Sequence, residues 1–486
     1  MRKIFVSLLS VLLVAACLVA CCSCSITMSS DGADIVLGAS RNTAVAPDAA
    51  EDGVVFEGAS SDEEILANIP VVEAPDPREA TRGLFFKKIP YDVEEGGETV
   101  RKYVCKVISY STHGLDEGEA LSKDIYVPYT YEGWPVVEIA SRAFESVSIN
   151  SITLPYTLTK ISSKAFLNST VASVEIPAGV ASIADDAFIG CDASAITTAA
   201  DSVRYTAANG YLMDGTVLVR GTGNGEIPAD VTEIADYAFS GCTALTEITV
   251  PATVTKIGDA AFAGCRSLSA ATIEAEIAVL PSRIFDGCSS LAALDLPDTI
   301  TEYGYACLRA TAFTTITVPY GVTAIGSSAF ENCTKATGVV FETVDVDGVA
   351  TTSVENIGGN AFLGCTALTE ITFPRGVKNL GGNICNGCIG LTAVNLSNTI
   401  EEIGAAAFYG CYRIKSVYIP KSVNRVGYGI FYGFEKSAVI SLEGRSAGAA
   451  WNGGWNVYYI ENAQESGKIA TVVNYLTVLK NVPPSN

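Results

Sequence analysis

A unit of about 23 residues recurs through most of this chain, and no other feature constrains its fold as strongly. One copy, Leu245–Cys265, reads LTEITVPATVTKIGDAAFAGC and follows the pattern L-x-x-I-x-V-P-x-x-V-x-x-I-G-x-x-A-F-x-x-C. The anchor near its end falls at Phe144, Phe166, Phe188, Phe239, Phe262, Phe285, Leu308, Phe330, Phe362, Cys385, Phe408 and Phe431. Spacings are 22 or 23 residues, except for gaps of 51 before Phe239 and 32 before Phe362. Self-similarity at such a period marks a solenoid, in which each unit contacts only its neighbours.

The positions within one copy have separable tasks. Leu245, Ile248 and Val250 alternate with polar residues, which predicts a short strand with one buried face. Pro251 cannot donate a ladder hydrogen bond and ends it. Val254 and Ile257 turn inward again, Gly258 is expected to permit a tight bend, and Ala261-Phe262 is expected to open a short helical or 3₁₀ return. A single coil buries too few side chains to offset its ordering entropy, so stability must come from stacking. The expected fold is a curved array of about 12 coils, with a parallel β-sheet on one face and short helical, 3₁₀ or extended returns on the other.

Composition narrows the function. The formal net charge is −22 and no cluster of Lys or Arg is present, so the basic footprint of a nucleic-acid binder is missing. The one histidine, His113, lies in the turn-like polar stretch YSTHGLDEGE and reads as a surface residue. With so few imidazoles, a His-based triad or metal centre has little to work with, and no catalytic residue, cofactor or metal is expected.

The chain ends follow other rules. Arg2 and Lys3 precede an apolar run from Ile4 to about Ala16, which is an export signal and not part of the fold. Its end resembles a bacterial lipoprotein lipobox, implying removal of residues 1–20 and a lipid on Cys21. Val14-Ala15-Ala16-Cys17 is an overlapping alternative that would lipidate Cys17, and a plain secretory signal or an uncleaved anchor remains open. Residues 21–97 form an acidic tether: Ser25 to Glu98 contains sixteen acidic and five basic residues, half of the net charge. GLFFKKIPYDV within it reads as a transiently packed stretch. Residues 98–120, with Tyr103–Ile108 as a strand, are expected to cap the first coil of a solenoid spanning 121–434. Residues 435–486 lose the pattern and are expected to form a C-terminal cap, with Trp451, Trp455, Tyr458 and Tyr459 as its core or, alternatively, as a sugar-stacking platform.

The two long gaps are insertions. The first, about residues 202–222, carries Asp214-Gly215 between two β-like runs, a hairpin signal. The second, about residues 342–353, also carries an Asp-Gly pair. Insertions in solenoids tend to emerge as loops where binding is elaborated.

Eight cysteines sit three residues after an anchor: Cys191, Cys242, Cys265, Cys288, Cys333, Cys365, Cys388 and Cys411. Strands stack about 4.8 Å apart, whereas disulfides need Cβ atoms roughly 3.5–4.5 Å apart. A ladder of buried free thiols is therefore expected.

Ile248–Leu268 closely resembles the BspA-like subclass of bacterial leucine-rich repeats, as do the first-coil sequence IYVPYTYEGWPVVEIASRAF and the insertion GYLMDGTVLVR. The resemblance covers about residues 98–460. It implies a right-handed curved solenoid on a cell surface that binds other proteins, including host matrix proteins, or mediates contact between cells. It brings no catalytic residues.

The outward strand positions are the candidate binding face: Asn150, Ser151, Thr153, Thr246, Glu247, Thr249, Thr314, Thr315, Thr317, Thr369, Glu370, Thr372, Lys415, Ser416 and Tyr418. Threonine there also has a plain reading as β-propensity on an exposed strand. The expectation is a monomeric, non-enzymatic, membrane-anchored lipoprotein at the cell surface or outer membrane. Its partners would be extracellular or cell-surface proteins, held through the solenoid. A binder of carbohydrate or envelope polymer, and a periplasmic scaffold, are the competing readings.

Overall fold

In the computed structural model, the described residues are 72, 74–113, 115–193, 195–223, 226–434 and 438–443, together with the backbone of strands Val457–Ile460, Glu465–Lys468 and Thr471–Tyr475. All belong to one compact unit, 60–486. Cys17, Cys21, Trp451 and Trp455 lie outside them, and Tyr458 and Tyr459 belong to a strand described by its backbone alone. The chain winds as a parallel β-solenoid of about 14 turns, against the twelve expected. Part of the excess lies beyond Phe431, where Val439–Glu443 pairs in parallel with Ser416–Ile419 and Thr471–Tyr475 pairs in parallel with Val439–Glu443.

Each coil contributes to three ladders. The apolar alternation forms the first: Glu247–Val250 pairs with Ala270–Ile273 in register, Ile248 and Val250 buried and Glu247 and Thr249 exposed. Pro251 closes a turn by accepting from Val254 N at 3.0 Å. A two-residue strand then forms the second ladder, which runs over seven strands from Val279–Leu280 to Arg425–Val426. Leu245, Ile248, Val250, Val254, Ile257, Phe262 and Cys265 are all buried, as the alternation requires.

The third ladder corrects the expected helical return, because no helix of either kind occurs among the described residues. The residues two before and two after Phe262 both adopt left-handed backbone, Ala260 at φ 54° and Gly264 at φ 74°. The same pair flanks most anchors, as with Arg283 and Gly287 around Phe285 or Asn383 and Gly387 around Cys385. A left-handed residue every fourth position breaks a right-handed helix. It also turns alternate amides outward: Ala260, Phe262 and Gly264 donate to Ser282, Ile284 and Asp286 of the next coil at 2.8, 2.9 and 2.7 Å. The intervening amides of Ala263 and Cys265 stay within the coil, donating to Ala260 and Phe262. The return is therefore a stacking surface, and its hydrogen bonds hold coil to coil.

Gly258 also differs from expectation. Its φ is ordinary, and a Cβ there would lie 2.3 Å from the Asp236 amide nitrogen of the preceding coil. Glycine is needed for close approach between coils, not for a bend.

Anchor rings stack along the axis, with Phe144–Phe166, Phe166–Phe188, Phe239–Phe262 and Phe262–Phe285 centroids 5.0–5.4 Å apart. Beside them lie the eight cysteines, all free and buried. Cys265, Cys288, Cys365 and Cys388 donate to the anchor carbonyl of the preceding coil at 3.0–3.3 Å. Burial pushes the Cys242 thiol up to about 11 and those of Cys265 and Cys365 well above the usual value. The eight thiols serve as packing groups in the core.

The N-terminal end is closed by β1 (Leu84–Glu95) and β2 (Glu98–Tyr110), antiparallel partners along almost their full length. β2 pairs in parallel with β3 (Trp134–Ile139) and so caps the first coil. Residues 84–95 are thus a strand, not the last stretch of a tether. Leu84 and Phe86 pack on the core, and Phe86 stacks on Tyr131 at 4.2 Å, which outweighs the acidic residues further along.

The first insertion contains the expected hairpin at Asp214-Gly215 and one strand more. It forms a three-stranded meander, β4 (Tyr205–Ala208), β5 (Tyr211–Asp214) and β6 (Val217–Gly221), and β6 pairs in parallel with Glu233–Ile234, which pairs in turn with Lys256–Ile257 in one five-stranded sheet. Tyr205, Leu212 and Val219 face an N-terminal core that starts at Cys105, while Tyr211, Met213 and Leu218 face a C-terminal core that continues to Leu442. The meander is a wall between two cores. Arg220, only 1% exposed, ties it in by donating to the carbonyls of Cys191, Tyr237 and Ser240.

Candidate binding surfaces

The expected strand-face residues are all exposed except the half-buried Thr372. Many of them are already occupied with neighbours. Thr369 Oγ1 donates to Thr337 O at 3.2 Å, Thr337 Oγ1 to Thr314 O at 3.1 Å, and Ser269 Oγ to Thr246 O at 3.1 Å. Thr372 Oγ1 accepts from Asn395 at 3.0 Å, and Ser151 Oγ donates to Asp124 at 2.7 Å. Hydroxyls at the mouth of the strand staple one coil to the next. Tyr418, 40% exposed, is the face's one aromatic; burial and then the Glu443 carboxylate push its hydroxyl up to about 12. Asn150, Ser151 and Thr153 belong to the N-terminal array and the other twelve to the C-terminal one, beyond the meander.

The second insertion projects. β7 (Val344–Val346) and β8 (Val349–Thr351) form a two-residue hairpin whose tip, Asp347 at φ 55° and Gly348 at φ 80°, has the backbone of a type I′ turn. One of its faces is open to solvent: Val344 and Val346 are 39% and 48% exposed, and Val340, in the strand before the hairpin, is 49% exposed. Glu342, Asp345 and Asp347 are exposed alongside. An apolar stripe with an acidic border on a protruding hairpin is the most distinctive departure from the repeat.

At the hairpin's base lies an open depression of about 600 Å³ across four coils. One side is the row Glu355, Lys378, Glu401 and Asn424, each backbone N–H donating to the preceding member's carbonyl at 2.8 Å. The other side carries Arg375 and Asn398, and the floor is Gly376, Thr399 and Ser422. Thr351, Thr352 and Ser353 close one end, held by Thr352 N–H donating to Arg375 O at 2.9 Å. A Cβ on Gly376 would meet Thr352 O at 2.3 Å, and its φ is 114°, so glycine alone lets the hairpin's base join the array there.

Charges along the second ladder pair between coils. Lys256 meets Glu233 at 2.6 Å, Lys378 meets Glu355 at 2.9 Å, and Arg425 meets Glu402. Such exposed pairs contribute little each and set register more than stability. His113 is exposed beside the Phe85 ring at 5.8 Å. Among the described residues no cluster of three or more His, Cys, Asp or Glu has metal-site geometry.

Sequence reasoning missed three features. The depression combines positions 23 residues apart that have no motif in common. The Asn209-Gly210 turn between β4 and β5 carried a readable signal, Asn-Gly before an apolar run. The exposed Tyr305, Tyr412 and Tyr428 on the returns carried none, because the repeat leaves those positions unspecified.

These features define a leucine-rich-repeat solenoid with its elaborations concentrated at two insertions. A family model described as BspA type leucine rich repeat region matches in six copies, over residues 136–211, 222–337 and 343–444. The chain belongs to this family, and the break at 212–221 falls on β5 and β6. No curated protein matches it. Similar solved structures include a leucine-rich repeat protein from Bacteroides ovatus (21% identity, TM-score 0.42, 75% of this chain and 88% of that one). A leucine rich cell surface protein from Faecalibacterium prausnitzii matches at 21% identity and TM-score 0.37, over 73% of this chain and 89% of that one. The pneumococcal vaccine antigen PcpA matches at 15% identity and TM-score 0.35, over 81% and 97%.

Proposed function

We propose that this protein is exported, anchored by lipid at Cys21 or Cys17, and displayed at the cell surface, where it binds other proteins without performing chemistry. The observation that carries the reading is the projecting β7–β8 hairpin, where Val344 and Val346 are exposed together on one face of an insertion that interrupts the repeat. Solenoids commonly present extended surfaces for recognition, and specificity belongs where the repeat is broken. The export signal, the acidic segment after it and the family all support the location. Cell-surface or matrix proteins of a host, or of neighbouring cells, are the expected partners.

Two measurements test it. Protease added to intact cells should remove the solenoid, detected with an antibody to residues 98–434; full protection would place it inside the envelope and turn the reading toward a periplasmic scaffold. Metabolic labelling with an alkyne fatty acid should mark the wild-type chain and fail in a Cys17→Ala/Cys21→Ala double variant.

A further inference from the structure

We infer that the depression at the base of the β7–β8 hairpin is a binding site for a linear glycan that carries an acidic sugar. Four observations converge. Its lining is polar throughout, with hydroxyl, amide, carboxylate, ammonium and guanidinium groups and no aliphatic or aromatic side chain. A peptide or lipid partner depends on burying large apolar side chains, and this lining supplies no aliphatic or aromatic side chain to receive them, only the methyls and methylenes of its polar residues. A polyhydroxylated chain needs the reverse.

The second observation concerns unspent hydrogen-bonding capacity. Among the described residues, the side chains of Arg375, Asn398, Glu401 and Asn424 have no partner, whereas Lys378 is held by Glu355 at 2.9 Å. Amide, carboxylate and guanidinium ends are planar forks that can engage two adjacent hydroxyls at once. On the floor, the Ser422 hydroxyl is buried without a partner. A buried unsatisfied hydroxyl is costly, and its rotor is free to swing toward a ligand oxygen.

Geometry supplies the third. The same two positions of successive coils repeat along the array about 4.8 Å apart, so the depression is a track and not a pit. An extended glycan laid along it meets the Arg375 fork on one coil, Asn398 and Glu401 on the next and Asn424 on the one after. The fourth is charge: Arg375 is exposed at the hairpin end of the track and is its one cation without a carboxylate partner. A sugar carboxylate placed there gains a charge-assisted fork. The track abuts the hairpin at Thr351, the last residue of β8, while its free forks, Arg375, Asn398, Glu401 and Asn424, lie on the coils beyond it.

Isothermal titration of the purified full chain tests the assignment, using uronate tetramers, uncharged glucose tetramers and a tetraglutamate peptide as probes. The expected result is binding of the uronate tetramer that weakens roughly tenfold in Arg375→Gln and is lost in Asn398→Ala/Asn424→Ala, with melting temperatures unchanged because all three side chains are exposed. Affinity should rise with chain length and level off at about four rings, one per coil spanned. Absence of saccharide binding, binding that survives the double amide variant, or a preference for the peptide would each overturn the assignment. Equal binding of both tetramers in wild type and Arg375→Gln would overturn its acidic component.

Discussion

The two insertions begin from the same signal and end in opposite places. Both carry an Asp-Gly pair between short β-like runs, and both interrupt an otherwise regular 23-residue spacing. The first is built into the array: Tyr211, Leu212, Leu218 and Val219 are all buried, facing one core or the other. The second stands out from it, with Val344 and Val346 exposed. The difference lies in adjacent positions. Tyr211-Leu212-Met213 and Leu218-Val219 are apolar on both sides of the strand, so each face needs a cover. Val344-Asp345-Val346-Asp347 is apolar on one side only, so the array can leave it in water at modest cost. Insertion length did not decide the outcome; the number of apolar faces did.

Arg220 gives the sharpest way to break that contrast. It sits at the seam of the two cores, with a buried guanidinium serving three carbonyls and its Nε lacking any partner. Arg220→Met should cost about 3–5 kcal/mol, as carbonyls of both arrays lose their donor. Urea unfolding followed by tryptophan fluorescence and circular dichroism should then separate into two transitions, one for each core. A single transition at the wild-type midpoint would mean that the meander is not the coupling element.

Alkaline pH should sharpen the same division. Thiols at Cys105 and Cys242 are pushed up to about 11 by burial, against about 8.5 in an unfolded chain. Their folded-state values are raised, so the unfolded state loses protons first, and stability present below about pH 8.5 falls as pH rises toward 11. The C-terminal core holds nine of the eleven described cysteines, from Cys242 to Cys411, and should be the half that melts earlier. Thiol labelling followed by peptide mapping reads this directly, and equal labelling of Cys105 and Cys265 would contradict it.

The smallest effect belongs to the second insertion. Replacing Thr343–Ala350 by a Gly-Ser turn removes exposed groups, so stability should change by less than about 1 kcal/mol. A loss comparable to that of Arg220→Met would show the hairpin to be structural after all.

Much of this was readable from the repeat. The anchors, the inward strand positions and the free thiols follow from periodicity and disulfide geometry, and β2 was legible as the cap. The return was not. Its left-handed residues include Ala260, Arg283 and Ala406, whose side chains do not announce that backbone. They adopt it because the amides so exposed bond to the next coil, a gain that exists only once two coils are stacked. Gly258 was misread for a related reason: its neighbour in space is 22 residues back in sequence. The polar track is likewise invisible within any single copy, and the strand-face threonines could not be known to spend hydroxyls on the adjacent coil.

The central claim is that recognition resides where the repeat is broken and not on its regular strand face. The most direct measurement captures cell-surface proteins from intact cells with three forms of the chain: wild type, the form with Thr343–Ala350 replaced, and a strand-face form with Thr249→Ala, Thr317→Ala and Ser416→Ala. The expected result is that partners held by wild type are kept by the strand-face form and lost by the hairpin form. Loss with the strand-face form and retention with the hairpin form would contradict the claim.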